Sequence, residues 1–189
     1  MSVRLFVLAT VFEKDRHGYE IKEIATLWGL DRWANIPYSS IYHALGKLQS
    51  EELITEVAVK QMKNRPARTV YRITEAGKIM LPDMIRETCR TSTAESRSFD
   101  MALAFIDILP SHERLELVSE RITRLEALCV SMRHTIAGGS LDPLHPWVLL
   151  GVRHSLMRVE GEMTWLREVQ KTVGEWPLHA MSPWREGTS

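Results

Sequence analysis

The residues best suited to chemistry lie between positions 37 and 74, where a polar helix face precedes a basic turn. A helix predicted at 38–50 carries on its outer face Tyr38, Ser39, Tyr42, His43, Lys47 and Gln49, and Ser40 near its start is a further candidate contact. Hydroxyl groups can reach base edges or phosphate oxygens, and a lysine can neutralise a phosphate. The turn that follows this helix adds Lys63, Asn64, Arg65 and Arg68. The two segments together predict contacts with double-stranded DNA.

Each segment alone has a plainer interpretation, because a polar helix face can simply be solvated and a basic turn can protect a sheet edge. Their order along the chain favours a winged helix, in which a helix enters a DNA groove and a hairpin grips the phosphates beside it. The alternative function is a protein-interaction module without direct DNA readout. Tyr19 has two interpretations, since its hydroxyl could meet a phosphate or its ring could pack under the recognition helix. Tyr71 is expected to hold the wing to the core.

Apolar spacing predicts the elements that position these side chains. Helices are expected at 3–13 and 19–28, before the helix at 38–50, for which Ser39 or Ser40 is the expected N-cap. Residues 29–36 are expected to form a loop. Alternating Val57 and Val59, then Val70 and Ile73, predict a hairpin, and Thr74 is the expected cap of the next helix.

The second half of the chain reads as long helices with apolar residues at steps of three and four. Two such seams can pack on each other or on a second chain. They are expected to supply most of a dimer interface through Leu115, Val118, Ile122, Leu125, Leu149, Val152, Leu156, Val159 and Met163. The predicted fold is mostly α with a small β-hairpin. A winged helix-turn-helix domain is expected at 1–90, and an α-helical dimerisation and effector-sensing domain at 91–189.

Charge and composition narrow the function. The net charge of the 189-residue chain is zero, but residues 1–80 hold 12 Lys/Arg against 9 Asp/Glu, and residues 60–72 hold five basic and no acidic residues. Such a local basic patch fits a modest nucleic-acid footprint. Neither a phosphate loop, a nucleophile elbow nor a metal-ligand spacing occurs, so we expect no enzyme activity, no cofactor and no metal. Without an apolar stretch of about 20 residues, the protein is expected in the cytoplasm.

The first 80 residues resemble the PadR family of bacterial transcriptional regulators. The resemblance rests on the following segments in order: His17-Gly18-Tyr19-Glu20-Ile21, Ser40-Ile41-Tyr42, Leu53-Ile54 and Val70-Tyr71-Arg72-Ile73-Thr74 with Gly77. It implies a homodimeric repressor that binds an inverted-repeat operator and is released by a small molecule or a cellular signal. Some relatives stack flat aromatic ligands on a tryptophan at the dimer interface, which makes Trp147 and Trp165 candidates for such an effector.

Two segments depart from the family pattern. Glu51-Glu52 stands where many members have a glycine just before the Leu-Ile pair, and the loop 29–36 is longer and more aromatic than expected. The first departure could alter the approach to DNA or simply cap the turn without glycine.

Overall fold

The computed structural model describes residues 2–34, 36–57, 69–91, 97–138 and 146–175. The chain forms two compact units, Met1–Ile106 and Asp107–Ser189. Within the described residues no helix is long and apolar enough to cross a membrane.

The first unit is built around its N-terminal helix. Residues 5–9 of this helix have no exposed surface, so it is buried on every side. The helices of this unit are α1 (Ser2–Glu13), α2 (Gly18–Leu27), α3 (Leu30–Trp33), α4 (Ser39–Ser50), α5 (Glu75–Thr91) and α6 (Ser98–Leu103). Helix α1 packs against α4, α5 and α6. The helices predicted at 3–13, 19–28 and 38–50 are confirmed, whereas α3 falls within the segment that was expected to be a loop.

A three-stranded antiparallel sheet completes the first unit. Its strands are β1 (Arg16–His17), β2 (Ile54–Val57) and β3 (Val70–Ile73), in the order β1-β3-β2. Glu56 is opposite Tyr71 in one pair, and His17 is opposite Val70 in the other. The predicted hairpin strands are confirmed up to Val57, but β1 was not predicted. The turn of the hairpin lies within 58–68, outside the described residues.

The helix caps follow the predictions only in part. Thr74 caps α5 as expected, because its Oγ1 accepts the backbone N–H of Gly77 at 3.0 Å. Neither Ser39 nor Ser40 caps α4, since the helix begins at Ser39 and Tyr38 holds the cap position. The Ser40 hydroxyl instead donates to the carbonyl of Pro37 at 2.6 Å. The Pro37 carbonyl therefore draws this hydroxyl back toward the chain that enters the helix.

The Glu51-Glu52 pair ends α4 in the conformation that a glycine would favour. Glu52 has a φ of 58°, the one positive φ recorded for a non-glycine residue of the described chain. This left-handed conformation costs a non-glycine residue about 1 kcal/mol. It lets Leu53 N donate to Leu48 O at 2.9 Å, which closes the helix end. Glu51 also forms an ion pair with Arg4 of α1. The turn therefore keeps its glycine-type geometry without a glycine.

Helix α6 and the residues up to Ile106 belong to the first compact unit. Helix α6 packs against α1 and α5 and buries Phe99, Met101 and Ala102. Phe105 then stacks on Trp28 with ring centroids 5.6 Å apart. These contacts place residues up to 106 in the same compact unit.

The second unit consists of α7 (Ser111–Ile136) and α8 (Pro146–Thr172), which follow a 3-10 helix at Ile106–Ile108. The two long helices are antiparallel, since Ser119 meets Gln170 while Arg133 meets Glu160. Arg114 is 1% exposed, and its Nε donates to the carbonyl of Leu109 at 2.7 Å.

Candidate nucleic-acid interface

Helix α4 presents one apolar and one polar face. Ile41, Ala44, Leu45 and Leu48 are buried, as their 3–4 spacing predicts. The opposite face exposes Ser39, Tyr42, His43 and Lys47 to solvent, with Tyr42 52% exposed. Lys47 forms no ion pair with any described residue. This face can therefore meet a ligand without first breaking contacts in the core.

The sheet adjoins this helix through polar side chains. Gln49 of α4 donates its amide N–H to Glu56 of β2 at 3.1 Å. Arg72 of β3 donates to Asp15 through Nε at 2.8 Å and through a terminal nitrogen at 2.5 Å. The guanidinium of Arg72 therefore has a carboxylate partner within the fold, although its side chain is 56% exposed.

The sequence-predicted wing residues Lys63, Asn64, Arg65 and Arg68 lie outside the described residues. The predicted site residues of α4 and α2 are described by the structure. Tyr38 and Ser40 are half-buried at the start of α4, while Tyr19 is 55% exposed at the start of α2. The exposure of Tyr19 agrees with its interpretation as a surface contact.

A cleft of ≈ 320 Å³ brings Tyr19 and Tyr42 together. We call it the tyrosine cleft; it is lined by His17, Gly18, Tyr19, Tyr42, Thr69 and Tyr71. The His17 ring Nδ1 lies 3.3 Å from the carbonyl oxygen of Thr69, and the His17 backbone N–H donates to Glu20 at 2.6 Å. These bonds tie the start of α2 to the start of β3.

Gly18 allows the close packing on one side of the cleft. A Cβ at this position would lie 3.1 Å from a ring carbon of Tyr42 and 3.2 Å from a methyl carbon of Leu45. Only a residue without a side chain leaves both neighbours in place. The sequence analysis noted the order His17-Gly18-Tyr19 but predicted only Tyr19 as a site residue. It missed His17, Gly18 and Thr69, which also line the cleft.

Tyr71 stays a neutral phenol across the physiological range. Burial raises the pKa of its hydroxyl, and the nearby Glu56 carboxylate and Tyr42 raise the pKa further. A neutral phenol can donate a hydrogen bond, whereas a phenolate cannot. Tyr71, which was expected to hold the wing to the core, is therefore also a potential hydrogen-bond donor in the tyrosine cleft.

The predicted dimerisation residues separate into two groups. Val118, Ile122, Leu125, Val159 and Met163 are buried within the chain itself. The α7–α8 pairing accounts for that burial, so these residues do not form a free surface. The other group, which is half-buried or exposed, comprises Leu115, Leu149, Val152 and Leu156.

The two candidate ligand residues Trp147 and Trp165 are 75% and 44% exposed on α8. Eighteen residues of helix separate them by about 27 Å, at a rise of about 1.5 Å per residue. One chain therefore does not place them in a common pocket. Among the described residues no group of three or more His, Cys, Asp or Glu side chains could hold a metal ion.

The fold and the exposed α4 face define a winged helix-turn-helix protein. Residues 7–83 match the model of the "Transcriptional regulator PadR-like family". The resemblance that the sequence indicated is confirmed over this segment. A search of curated proteins found no match.

Several solved structures are similar to this chain. Bacillus subtilis PadR in complex with operator DNA is 19% identical with a TM-score of 0.43, covering 92% of this chain and 99% of that one. The protein smu.1604c from Streptococcus mutans UA159 is 27% identical with a TM-score of 0.42, covering 87% and 96%. The Vibrio cholerae virulence activator AphA is 18% identical with a TM-score of 0.38, covering 92% and 98%. At these TM-scores the structures add no argument to the family match.

Proposed function

We propose that this PadR-like regulator is a cytoplasmic homodimeric repressor that binds an inverted-repeat operator in double-stranded DNA. A small molecule or a cellular signal would release it. The observation that supports DNA binding most directly is the solvent-exposed polar face of α4 beside the strands of the wing. In this proposal α4 enters the major groove, and the hairpin turn contacts the flanking backbone.

A dimer is part of the proposed mechanism, because one winged helix neutralises few phosphates and each phosphate contact adds only a salt-sensitive increment. Two-fold symmetry would place the two α4 helices about 34–36 Å apart, or a multiple of that, on one face of the duplex. The dimer could exist with two different distances between its α4 helices, only one of which fits the operator. An effector that binds one of these two forms more tightly would shift the population toward that form.

The N-terminal part of α8 supports the dimer proposal. In the antiparallel pairing Arg133, near the end of α7, meets Glu160, so residues 146–157 of α8 reach past the described end of α7. Leu150 and Met157 in this segment are 51% and 70% exposed, and Arg153 is its one Asp, Glu, Lys or Arg residue. A second copy would bring the same apolar surface to a two-fold interface.

Charge on this surface should dissociate the proposed dimer. We expect the Leu150→Glu, Met157→Glu double variant to sediment as a monomer of 21.7 kDa where the wild type sediments as a dimer. Burying two carboxylates at a symmetric interface is costly, whereas both positions are solvated in the single chain. Ile79→Glu, at a 73% exposed site in the first unit, is the control and should leave the mass unchanged. A dimeric double variant would contradict this interface.

Charge reversal in the wing tests DNA binding. We expect Arg65→Glu with Arg68→Glu to weaken duplex binding by about 100-fold or more, since hydrogen bonds to charged groups contribute about 1.5 kcal/mol each. Fluorescence anisotropy would follow binding to a duplex from upstream of the protein's own gene, at several salt concentrations and against a scrambled duplex. Arg167→Glu with Lys171→Glu makes the same change in net charge on α8 and should preserve binding.

The same assay distinguishes the proposed DNA-binding regulator from the alternative, a protein-interaction module. A protein-interaction module would bind neither duplex tightly, and charge reversal in the wing would change nothing. Tight binding to the native duplex that weakens steeply with salt, with a weaker scrambled control, supports the proposed regulator. For the effector, titration of tryptophan fluorescence with planar aromatic compounds tests Trp147 and Trp165.

A further inference from the structure

The tyrosine cleft contains three phenol rings from three different elements. Tyr19 begins α2, Tyr42 lies on α4, and Tyr71 lies on β3. The other described lining residues are His17, Gly18 and Thr69, so no Asp, Glu, Lys or Arg side chain is among the lining residues that the structure describes. The cleft therefore combines flat apolar rings with neutral hydroxyl groups, next to the recognition helix.

Two carboxylates near the cleft are engaged by other groups. Glu20 accepts the backbone N–H of His17 at 2.6 Å. Glu56 accepts the amide of Gln49 at 3.1 Å and lies near the Tyr71 hydroxyl. Each carboxylate has a hydrogen-bond donor of its own. Tyr19 and Tyr42 are 55% and 52% exposed, so both residues can be reached from solvent.

We propose that the tyrosine cleft holds one phosphodiester and its adjoining deoxyribose of the DNA backbone through neutral hydroxyl donors. This inference rests on the proposed function, because it assumes that α4 meets duplex DNA. The sugar packs on the phenol rings, and a phosphate oxygen accepts hydrogen bonds from the hydroxyls. The cleft joins the two elements that are expected to meet the duplex, the recognition helix and the base of the wing. It would therefore fix the register of α4 along the backbone.

A neutral contact has a distinctive salt dependence. A lysine that neutralises a phosphate releases a counterion, which adds about 0.9 to the slope of log affinity against log salt concentration. A phenol hydroxyl adds a hydrogen bond without neutralising the charge, so it should leave that slope unchanged. We therefore expect the cleft to strengthen binding by a similar factor at low and at moderate salt.

The test compares Tyr19→Phe, Tyr42→Phe and their double variant with the wild type. Each single variant keeps its ring and should lose about 5-fold in affinity, as expected for one hydrogen bond of about 1 kcal/mol. The salt slope should not change. Lys47→Ala is the contrasting control and should reduce the slope by about 0.9 if Lys47 pairs with a phosphate. The probe is the duplex from upstream of the gene, at four or more salt concentrations.

Single methylphosphonate linkages in the duplex identify the contacted phosphate. One position should weaken binding by the wild type and have a smaller effect on the Tyr19→Phe, Tyr42→Phe double variant. Unchanged affinity of the phenylalanine variants, a changed salt slope, or the absence of such a coupled position would overturn the phosphate assignment while the wild type still binds DNA. A wild type that binds no duplex would overturn both this inference and the proposed function. Unchanged thermal unfolding of the variants confirms that they are folded.

Discussion

Replacing Gly77 with alanine is expected to destabilise the first unit by about 3 kcal/mol or more, because a tightly packed site cannot accept an added carbon. A Cβ at this position would lie 2.2 Å from the carbonyl oxygen of Leu53 and 2.6 Å from Cγ1 of Ile73. Real Cβ atoms do not approach other atoms this closely, so part of the structure must move.

The neighbouring backbone has little freedom to move. The Leu53 carbonyl accepts the backbone N–H of Thr74 at 3.0 Å, and the Thr74 hydroxyl donates to the Glu52 carbonyl at 2.7 Å. Displacing Leu53 would break the first bond and disturb the turn between α4 and β2. The clash would therefore also disturb the C-terminal end of α4 and the adjoining ends of β2 and β3.

Thermal and urea unfolding followed by circular dichroism would measure the effect. Gly46→Ala is the matched control, since Gly46 lies in the interior of α4 and a Cβ there meets nothing within 4 Å. That change should stabilise the protein by about 1 kcal/mol through helix propensity. A Gly77→Ala protein as stable as the wild type would contradict the close packing of Gly77 against Leu53 and Ile73.

Sequence periodicity was sufficient to predict the large elements of this fold. Apolar spacing of three and four gave α1, α2 and α4, and alternation gave the strands of the hairpin. It could not give β1, because two residues carry no period and Arg16 and His17 are extended only through their pairing with Tyr71 and Val70. Helix α3, with four residues, is equally short. Such elements depend on tertiary contacts that no local pattern records.

The candidate site shows the same limit. The polar face of α4 could be read from the sequence because exposure follows from helix geometry. The tyrosine cleft could not, since Tyr71 is 29 residues from Tyr42 and the two line one cleft only in the folded chain. Similarly, the glycine-like φ of Glu52 is imposed by the turn after α4 and contradicts the residue's own preference.

The apolar seams of the second half illustrate a different ambiguity. Val118 and Val159 have the spacing of a helix-packing seam whether the partner helix belongs to the same chain or to another. The structure uses these residues between α7 and α8, whereas Leu150 and Met157 in the N-terminal part of α8 stay exposed. The spacing predicts that a helix partner exists, but not which one.

The ion pair between Arg121 and Glu162 should dominate the polar contribution to α7–α8 packing. The two side chains are 2% and 19% exposed, and Arg121 Nε donates to Glu162 Oε1 at 2.6 Å. We expect Glu162→Ala to lower the free energy of unfolding by about 3 kcal/mol, because it leaves a buried guanidinium without its carboxylate. Urea unfolding would measure the loss.

Two solvent-exposed ion pairs between the same helices provide matched controls. Glu160 pairs with Arg133, and Glu126 with Arg167, and in both pairs the side chains are at least 40% exposed. Glu160→Ala and Glu126→Ala should each cost less than about 1 kcal/mol, since water already screens these charges. Equal effects of all three substitutions would show that burial of Arg121 does not set the cost. Replacing Arg121 and Glu162 together by leucine should recover most of the stability lost in Glu162→Ala, because the double change removes the buried guanidinium along with its carboxylate.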